Sequence, residues 1–353
     1  MAEQSSISWT DATFNPWIGC TKVSPACKHC YAERDMDKRY GKVKWGDKGT
    51  RSLTSQGNWA KPKRWNRLAG EGVCLACGGT GLSKPARNGV PCAVCDGTGA
   101  LTRRPRVFCA SLADVFEDWK RPMLSSSGYP IMHGSRLVTN GVPSDWVERP
   151  LSMADARSDL FKLIDATPNL DWLLLTKRPE NILSMWCSHV NTDGKPPSML
   201  RRENVWLGTT IESQEWADKR IPELLKCRDL APVLFLSCEP LLGPVEFSLL
   251  GIDWVIAGGE SGPEARPTHP EWIQSLRDQC ASARVPFHFK QWGEYVPGDH
   301  DVVTFGDDHK TVLPWHDKEG SDNTPMVRVG VKRAGRLLDG ILHDAFPAVE
   351  VQA

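Results

Sequence analysis

The chain has 353 residues, of which 40% are hydrophobic and 24% are charged, and its 43 Lys and Arg equal its 43 Asp and Glu in number. This length allows one large domain or two ordinary ones, and the composition is that of a soluble globular protein. Since no run of about eighteen apolar residues occurs, no transmembrane helix is expected. The first residues lack the basic and then apolar pattern of a signal peptide, so we expect a cytoplasmic protein without a membrane partner.

Most of the twelve cysteines lie in short clusters. In a chain expected in the reducing cytoplasm, such clusters indicate metal ligation rather than disulfides. The remaining cysteines are expected to be small buried hydrophobic side chains. These are Cys109, Cys187, Cys227, Cys238 and Cys280.

The first cluster places Cys20, Cys27 and Cys30 within eleven residues. Thiolates select zinc, copper(I) or iron–sulfur clusters. Three of them without a fourth nearby favour a four-iron (4Fe-4S) cluster with one open iron, because a structural zinc site is normally closed by four ligands. The alternatives are a zinc site completed by His29 or a distant cysteine, and three simply buried thiols.

Residues 34–67 form a basic segment with eleven Lys and Arg against three Asp. Four aromatic side chains are interleaved with this charge. They are Tyr40, Trp45, Trp59 and Trp65. Cations neutralise phosphates and aromatic faces stack on bases, so the segment is a candidate nucleic-acid surface. The alternative is a solvated loop whose tryptophans pack on the rest of the fold.

An internal repeat of the form CxxCxGxG occupies residues 74–99, with the cysteine pairs Cys74 and Cys77, and Cys92 and Cys95. Two such knuckles can bring four thiolates onto one zinc ion, and the glycines permit the tight turns. The pattern resembles half of the zinc-binding region of DnaJ-type chaperones, which implies a metal-stapled hairpin. A second iron–sulfur cluster is the minor alternative.

From residue 106 onward, short apolar runs alternate with helical patterns. The runs are Val107–Ala110, Trp172–Leu175, Val205–Gly208, Val233–Leu236, Trp254–Ala257 and Pro286–Phe289. Helices are expected near 153–165, 179–187, 214–226 and 270–284. Near-continuous apolar strands between helices predict an α/β fold with a parallel sheet buried on both faces. With the strand before Cys20, about seven units are visible, which suits a complete or partial parallel (β/α) barrel.

This pattern predicts four regions. Residues 1–70 form the first barrel unit with the three-cysteine loop and the basic segment. Residues 71–104 form the zinc-knuckle insertion, residues 105–297 the remaining barrel, and residues 298–353 a small β-rich C-terminal cap.

Several motifs together resemble the phage-encoded three-cysteine, radical S-adenosylmethionine (SAM)-like family. They are Asn15-Pro-Trp-Ile-Gly-Cys20, Leu174-Leu-Thr-Lys-Arg-Pro179, Trp206-Leu-Gly-Thr-Thr-Ile-Glu212, Glu239-Pro-Leu-Leu-Gly243, Trp254-Val-Ile-Ala-Gly-Gly-Glu-Ser-Gly262, Phe289-Lys-Gln-Trp-Gly293 and Gly335-Arg-Leu-Leu-Asp-Gly340. The resemblance spans nearly the whole chain, with the zinc knuckles as an insertion. Radical-SAM enzymes usually separate their cysteines by three and two residues, whereas the gaps here are six and two.

The resemblance implies a 4Fe-4S cluster on Cys20, Cys27 and Cys30, SAM as cofactor, a host electron donor such as flavodoxin, and modified thymidine in phage DNA as substrate. Some members are similar to enzymes of thymidine hypermodification, so the implied reaction is isomerisation of N-α-glycinylthymidine to C-α-glycinylthymidine in the cytoplasm of the host cell. Acting on a base in DNA requires the nucleotide to be flipped out of the stack. The alternatives are a radical-SAM DNA repair lyase and a non-catalytic, zinc-stabilised DNA-binding protein.

In a (β/α) barrel, polar residues just after the strands face one mouth. Carboxylates there can hold the amino group and ribose hydroxyls of SAM, and cations can hold a carboxylate or phosphate. Candidates for cofactor binding are Ser111, Asp114, Thr176, Thr209, Glu212 and Glu239, with Lys177 at the same mouth. Glu260 and Lys290 join the three loop cysteines as candidate catalytic residues. For each residue alone, the alternative is a helix cap or a structural salt bridge.

Radical-SAM enzymes often carry Gly-Gly-Glu at the end of their second strand. Here Gly258-Gly-Glu260 ends a late strand, so that role does not transfer, and Glu260 is a candidate for substrate binding instead.

Overall fold

The computed structural model describes residues 5, 7–82, 89–139, 142–186, 200–304, 306–307, 310–314 and 324–348, without the side chains of residues 133–148. Cys187 lies outside this part. Numbered along the chain, the strands are β1 (Ala12–Phe14), β2 (Trp17–Ile18), β3 (Ser52–Leu53), β4 (Arg106–Cys109), β5 (Met132–Thr139), β6 (Val142–Pro150), β7 (Asp171–Thr176), β8 (Val205–Thr210), β9 (Val233–Cys238), β10 (Trp254–Gly258), β11 (Phe287–Gln291), β12 (Tyr295–Pro297), β13 (Thr311–Val312), β14 (Met326–Arg328), β15 (Leu337–Leu338) and β16 (Ile341–Leu342).

The α-helices are α1 (Tyr31–Glu33), α2 (Gln56–Trp59), α3 (Lys61–Gly70), α4 (Met153–Asp165), α5 (Ile182–Met185), α6 (Gln214–Leu225), α7 (Pro270–Ala283) and α8 (Val331–Ala334). Three of the α-helices are single short turns, and the first α-helix continues directly into a π-helical stretch at Arg34–Arg39. None of the described helices is long and apolar enough to cross a membrane.

Seven parallel strands form the central sheet in the order β1-β4-β7-β8-β9-β10-β11. The sheet curls into a half-barrel, and its first and last strands do not pair with each other within the described chain. The predicted α/β fold with a partial parallel barrel is therefore confirmed. The apolar runs expected to be strands are β4 and β7–β11, because a strand buried on both faces needs apolar side chains at nearly every position.

Alternate side chains of each strand pack on opposite faces of the sheet. In β7, Trp172 and Leu174 pack in the large core that includes helix residues such as Leu160 of α4 and Leu276 of α7. Leu173 packs in a second cluster on the concave face with Trp9, Phe108, Trp206, Phe235 and Trp254. The Trp9 ring lies 4.7 Å from that of Phe108 and 6.3 Å from that of Trp254, so the curvature brings β4 and β10 to one aromatic group.

Local signals explain where the long helices begin. Ser152 accepts a hydrogen bond from the backbone N–H of Asp155, and the Asp155 side chain accepts one from the backbone of Ser152, which forms a capping box at the start of α4. Helix α7 begins at Pro270 and is followed by Arg284 in the left-handed region at φ 57°. The predicted helices at 153–165, 214–226 and 270–284 are confirmed within one residue at each end.

Smaller antiparallel units surround the half-barrel. Strands β12, β14 and β13 form a three-stranded sheet, β15 pairs with β16, β2 pairs with β3, and β5 pairs with β6. Strands β13–β16 lie within the predicted cap at residues 298–353, whereas β12 precedes it and pairs with β14 of the cap.

Candidate active site and metal centre

A cavity of about 550 Å³ opens at the carboxyl ends of the central strands. All three cysteines of the loop line it, together with residues that follow or end β4, β7, β8, β9 and β11. Its floor includes Trp9, Phe108 and Leu175, which belong to or pack against the aromatic cluster on the concave face. The cavity is thus closed below by the core and walled above by polar strand ends and the cysteine loop.

Hydrogen bonds hold the cysteine loop on this mouth. A single helical turn, Pro25–Cys27, precedes Cys30, and α1 begins at the next residue. The hydroxyl of Tyr31 donates to the carbonyl of Ser111 at 2.6 Å, which connects the start of α1 to the end of β4. On the opposite side, Arg266 donates to the carbonyl of Pro25 at 3.1 Å.

Glu260 positions the arginine of that second contact. Its carboxylate accepts from Arg266 Nε at 2.8 Å and Nη2 at 2.6 Å. Among the described residues that line the cavity, Glu260 is absent, whereas its neighbour Ser261 is present. The predicted role of Glu260 in catalysis remains a prediction, and the contact that the structure gives it is support of the cysteine loop through Arg266.

The predicted residues at the ends of β4 and β7 do meet at the cavity. Ser111, Asp114, Thr176 and Lys177 all line it. Asp114 is buried and accepts from the Thr176 hydroxyl at 2.7 Å and from Arg178 Nη1 at 2.8 Å. Both carboxylate oxygens of Asp114 thus already accept hydrogen bonds, and this side chain connects the residues that follow β4 to those at the end of β7.

Glu239 and Lys290 face the same cavity from β9 and β11. The ammonium of Lys290 donates to Oε2 of Glu239 at 2.6 Å, while Oε1 of Glu239 has no hydrogen-bond partner among the described residues. A buried carboxylate oxygen without a partner is costly unless a ligand or water completes it. This pair therefore offers one acceptor and one cation to a bound molecule.

Two of the predicted cofactor-binding residues lie outside the described lining of the cavity. Thr209 donates to the carbonyl of Thr176 at 2.9 Å, and fully buried Glu212 pairs with Arg220 of α6 at 2.7 Å. The residue that lines the cavity from β8 is Thr210, since neighbouring strand residues point to opposite faces. Ser237 does so from β9 for the same reason.

The protonation of the loop cysteines depends on what they bind. Burial, followed by the carboxylates of Asp114 and Glu117, raises the pKa of Cys20 to about 12, and burial also raises the pKa of Cys30. A metal replaces the proton of such a thiol. Among the described residues, these three sulfurs do not form a group compact enough for a single metal ion.

Comparison with known proteins places the chain in a family. Residues 4–126 and 119–347 match the family described as "Protein of unknown function (DUF5131)". The chain belongs to this family. No curated protein and no solved structure matches it.

In this DUF5131 chain the four knuckle cysteines form a compact metal centre. Cys74, Cys77, Cys92 and Cys95 are buried, their sulfurs lie within 4.8 Å of one another, and the sulfurs of Cys77 and Cys95 are 3.8 Å apart. A zinc ion with four bonds of about 2.3 Å requires sulfurs about 3.8 Å apart. The residues therefore fit zinc, as the repeat predicted.

The two knuckles have matching internal contacts. The N–H of Gly81 donates to Cys77 Sγ at 3.3 Å, and that of Gly99 donates to Cys95 Sγ at 3.2 Å. Although burial acts against ionisation, the amides of Gly81 and Gly79 and the thiols of Cys74 and Cys95 lower the pKa of Cys77 to about 7. A thiolate is thus accessible near neutral pH for metal binding.

The basic segment divides into buried and exposed parts. Arg51 is fully buried and pairs with Glu117, and Trp65 is buried in the main core. Trp45 lines the cavity. Lys38, Arg39, Lys42 and Lys48 are exposed, as is Tyr40.

Proposed function

We propose that this protein is a radical-SAM enzyme, with a four-iron cluster on Cys20, Cys27 and Cys30. The observation that carries the proposal is the position of these thiols: they follow the first strand of a parallel half-barrel and line the cavity at its carboxyl end. Active sites of parallel barrels lie at this end. A bound cluster supplies the electron for reductive cleavage of SAM, and that chemistry belongs to the cofactor.

The side chains around the cavity supply binding and orientation. Glu239 presents a carboxylate oxygen that has no hydrogen-bond partner among the described residues and is suited to an amino group or ribose hydroxyl of SAM. Lys177 and Lys290 line the wall as cations for a carboxylate or phosphate. The aromatic floor excludes water from the reaction.

The proposed substrate is a nucleotide in DNA. The exposed cations of residues 38–48 can neutralise phosphates next to the cysteine loop, and Trp45 carries an aromatic face from this segment into the cavity. A base extruded from the duplex could then reach the cavity.

For the reaction itself, we propose the isomerisation implied by the family resemblance. The methylene group attached to the base moves from the glycine nitrogen to the glycine α-carbon. One C–N bond breaks and one C–C bond forms, and the nitrogen gains the hydrogen that the α-carbon loses. The composition is unchanged, so no net oxidant is consumed.

The decisive experiment compares metal content and SAM cleavage in anaerobically purified proteins. We expect close to four irons and one zinc per wild-type chain. Cys27→Ala should lose iron and SAM cleavage and keep zinc, whereas Cys92→Ala should lose zinc and keep iron. With DNA containing N-α-glycinylthymidine, nuclease digestion and chromatography should reveal the C-α isomer at the same mass.

Other outcomes would favour the alternatives. A colourless wild-type protein that holds zinc but takes up no iron on reconstitution would exclude the radical mechanism and leave a zinc-stabilised DNA-binding protein. Turnover that requires damaged DNA would identify a repair lyase.

A further inference from the structure

Arg178 lies against the first cysteine of the loop. Its Nη1 donates to Cys20 Sγ at 3.7 Å, and its Nη2 donates to the carbonyl of Thr21 at 2.8 Å. The side chain is only 9% exposed, so water competes little for these donors. One guanidinium therefore holds both a candidate ligand sulfur and the backbone that follows it.

Arg178 belongs to a group of four buried charges. Arg178 Nη1 donates to Asp114 at 2.8 Å, and Nη2 lies 3.6 Å from Glu117. Glu117 in turn accepts two hydrogen bonds of 2.7 Å from Arg51. The two cations and two carboxylates balance, and Arg178 is the member of the group that contacts the sulfur.

The same group anchors the six-residue gap between the first two cysteines. The Thr21 hydroxyl accepts from Arg51 at 2.8 Å, while its carbonyl accepts from Arg178. Arg266 holds Pro25 near the other end of the gap. A loop longer than the usual three residues is thus fixed on both sides.

We infer that Arg178 is a positioning residue that orients Cys20 and stabilises the reduced form of the cluster. This inference rests on the proposed function. Reduction by a one-electron donor adds one negative charge to the cluster and its sulfur ligands. A positive charge and an N–H donor at a ligand sulfur favour the more negative state, so Arg178 raises the reduction potential.

The test is a redox titration of the cluster, monitored by electron paramagnetic resonance, in wild type, Arg178→Gln and Arg178→Lys. At a fixed potential, Arg178→Gln should lower the ratio of reduced to oxidised cluster about tenfold, which is 59 mV for a one-electron couple. The reduction potential of Arg178→Lys should lie between those of wild type and Arg178→Gln, since lysine keeps the charge but lacks the planar pair of N–H donors of arginine. Iron and zinc per chain are measured in the same samples.

Arg202→Gln is the matched control. Arg202 is also a buried arginine, pairs with Asp165 at 2.6 Å and precedes the amino end of β8, away from the cysteine loop. Loss of the Arg202 guanidinium should leave the reduction potential of the cluster unchanged. If Arg178→Gln does not fold, the reduction potential of Arg178→Lys is compared with that of wild type, and the lower potential expected for this variant decides the question.

The possible failures are distinct. An unshifted potential in a fully loaded Arg178 variant would overturn the inference and leave the proposed function intact. A wild-type protein that binds no iron would overturn both.

Discussion

At position 208 the sheet leaves no room for a side chain. Gly208 pairs directly with Phe235 of β9, and a Cβ there would overlap the phenyl ring. We expect Gly208→Ala to lower the free energy of unfolding by about 1–3 kcal/mol, because an overpacked core must shift. Gly57→Ala is the control, since Gly57 lies in α2 and no atom of the described residues lies within 4 Å of such a Cβ. Urea unfolding that gives equal losses in both variants would contradict this account.

The sequence predicted the location of single residues where their position at the end of a strand determines what surrounds them. Strand ends predicted Ser111, Thr176 and Lys290 at one mouth, as the structure shows. The sequence named Thr209, whereas Thr210 is the β8 residue in the described lining of the cavity. Alternation along a strand shows which residues face the cavity only after one residue of that strand has been oriented. Arg178 was missed because its partners Asp114 and Cys20 lie 64 and 158 residues away in sequence.

Among the elements, the zinc knuckles should depend on their metal and the half-barrel should not. The module has a hydrophobic cluster of its own, and the amides of Gly81 and Gly99 donate to ligand sulfurs. A chelator should therefore remove the protection of amides in residues 74–99 from hydrogen exchange, because metal binding supplies the folding free energy of such small units.

Hydrogen-exchange mass spectrometry, with Cys92→Ser as a metal-free reference, measures this. Peptides from β7 to β9 should keep their protection. Equal loss of protection across both regions would show that zinc stabilises the whole fold.

The elements that sequence predicted well are those whose environment is uniform along their length. Strands β7–β10 are buried on both faces and read as apolar runs. The β5–β6 hairpin was not expected, since MHGSRLVT and VPSDWVERP lack such a run. The zinc module was predictable because chelation geometry fixes ligand spacing in sequence.

For the molecule as a whole, the concave face of the half-barrel predicts acid sensitivity. His288 is fully buried there beside Trp254 and Phe346. Burial, followed by the nearby charges of Arg336, Arg106 and Lys290, lowers its pKa from 6.5 to about 3. Below pH 6.5 this histidine therefore takes up a proton in the unfolded chain but stays neutral in the folded chain. The free energy of unfolding falls for this reason as the pH drops from 6.5 towards 3.

Because of His288, the free energy of unfolding should fall by about 2 kcal/mol between pH 7 and pH 5. His288→Gln cannot take up the proton, so its free energy of unfolding should fall less over that interval. Urea unfolding at both pH values measures the difference, and identical pH slopes would exclude His288 as the cause.

Whether the barrel closes could not be predicted from the sequence. Seven strand patterns fit both a complete and a partial barrel, because closure depends on tilt and twist accumulated over all strands. The aromatic side chains of the concave face, with Trp9 and Phe346 from outside the sheet, fill the interior that an eighth strand would otherwise help to enclose.

The zinc module leaves and rejoins the fold at nearly the same point. Val73 bridges Ala100, and the N–H of Leu101 donates to the carbonyl of Gly72 at 3.0 Å. Its two ends are thus already neighbours, so a two-residue turn could replace everything between them without redirecting the chain on either side. We therefore expect a chain in which a short turn replaces residues 74–99 to keep the strand order of the half-barrel.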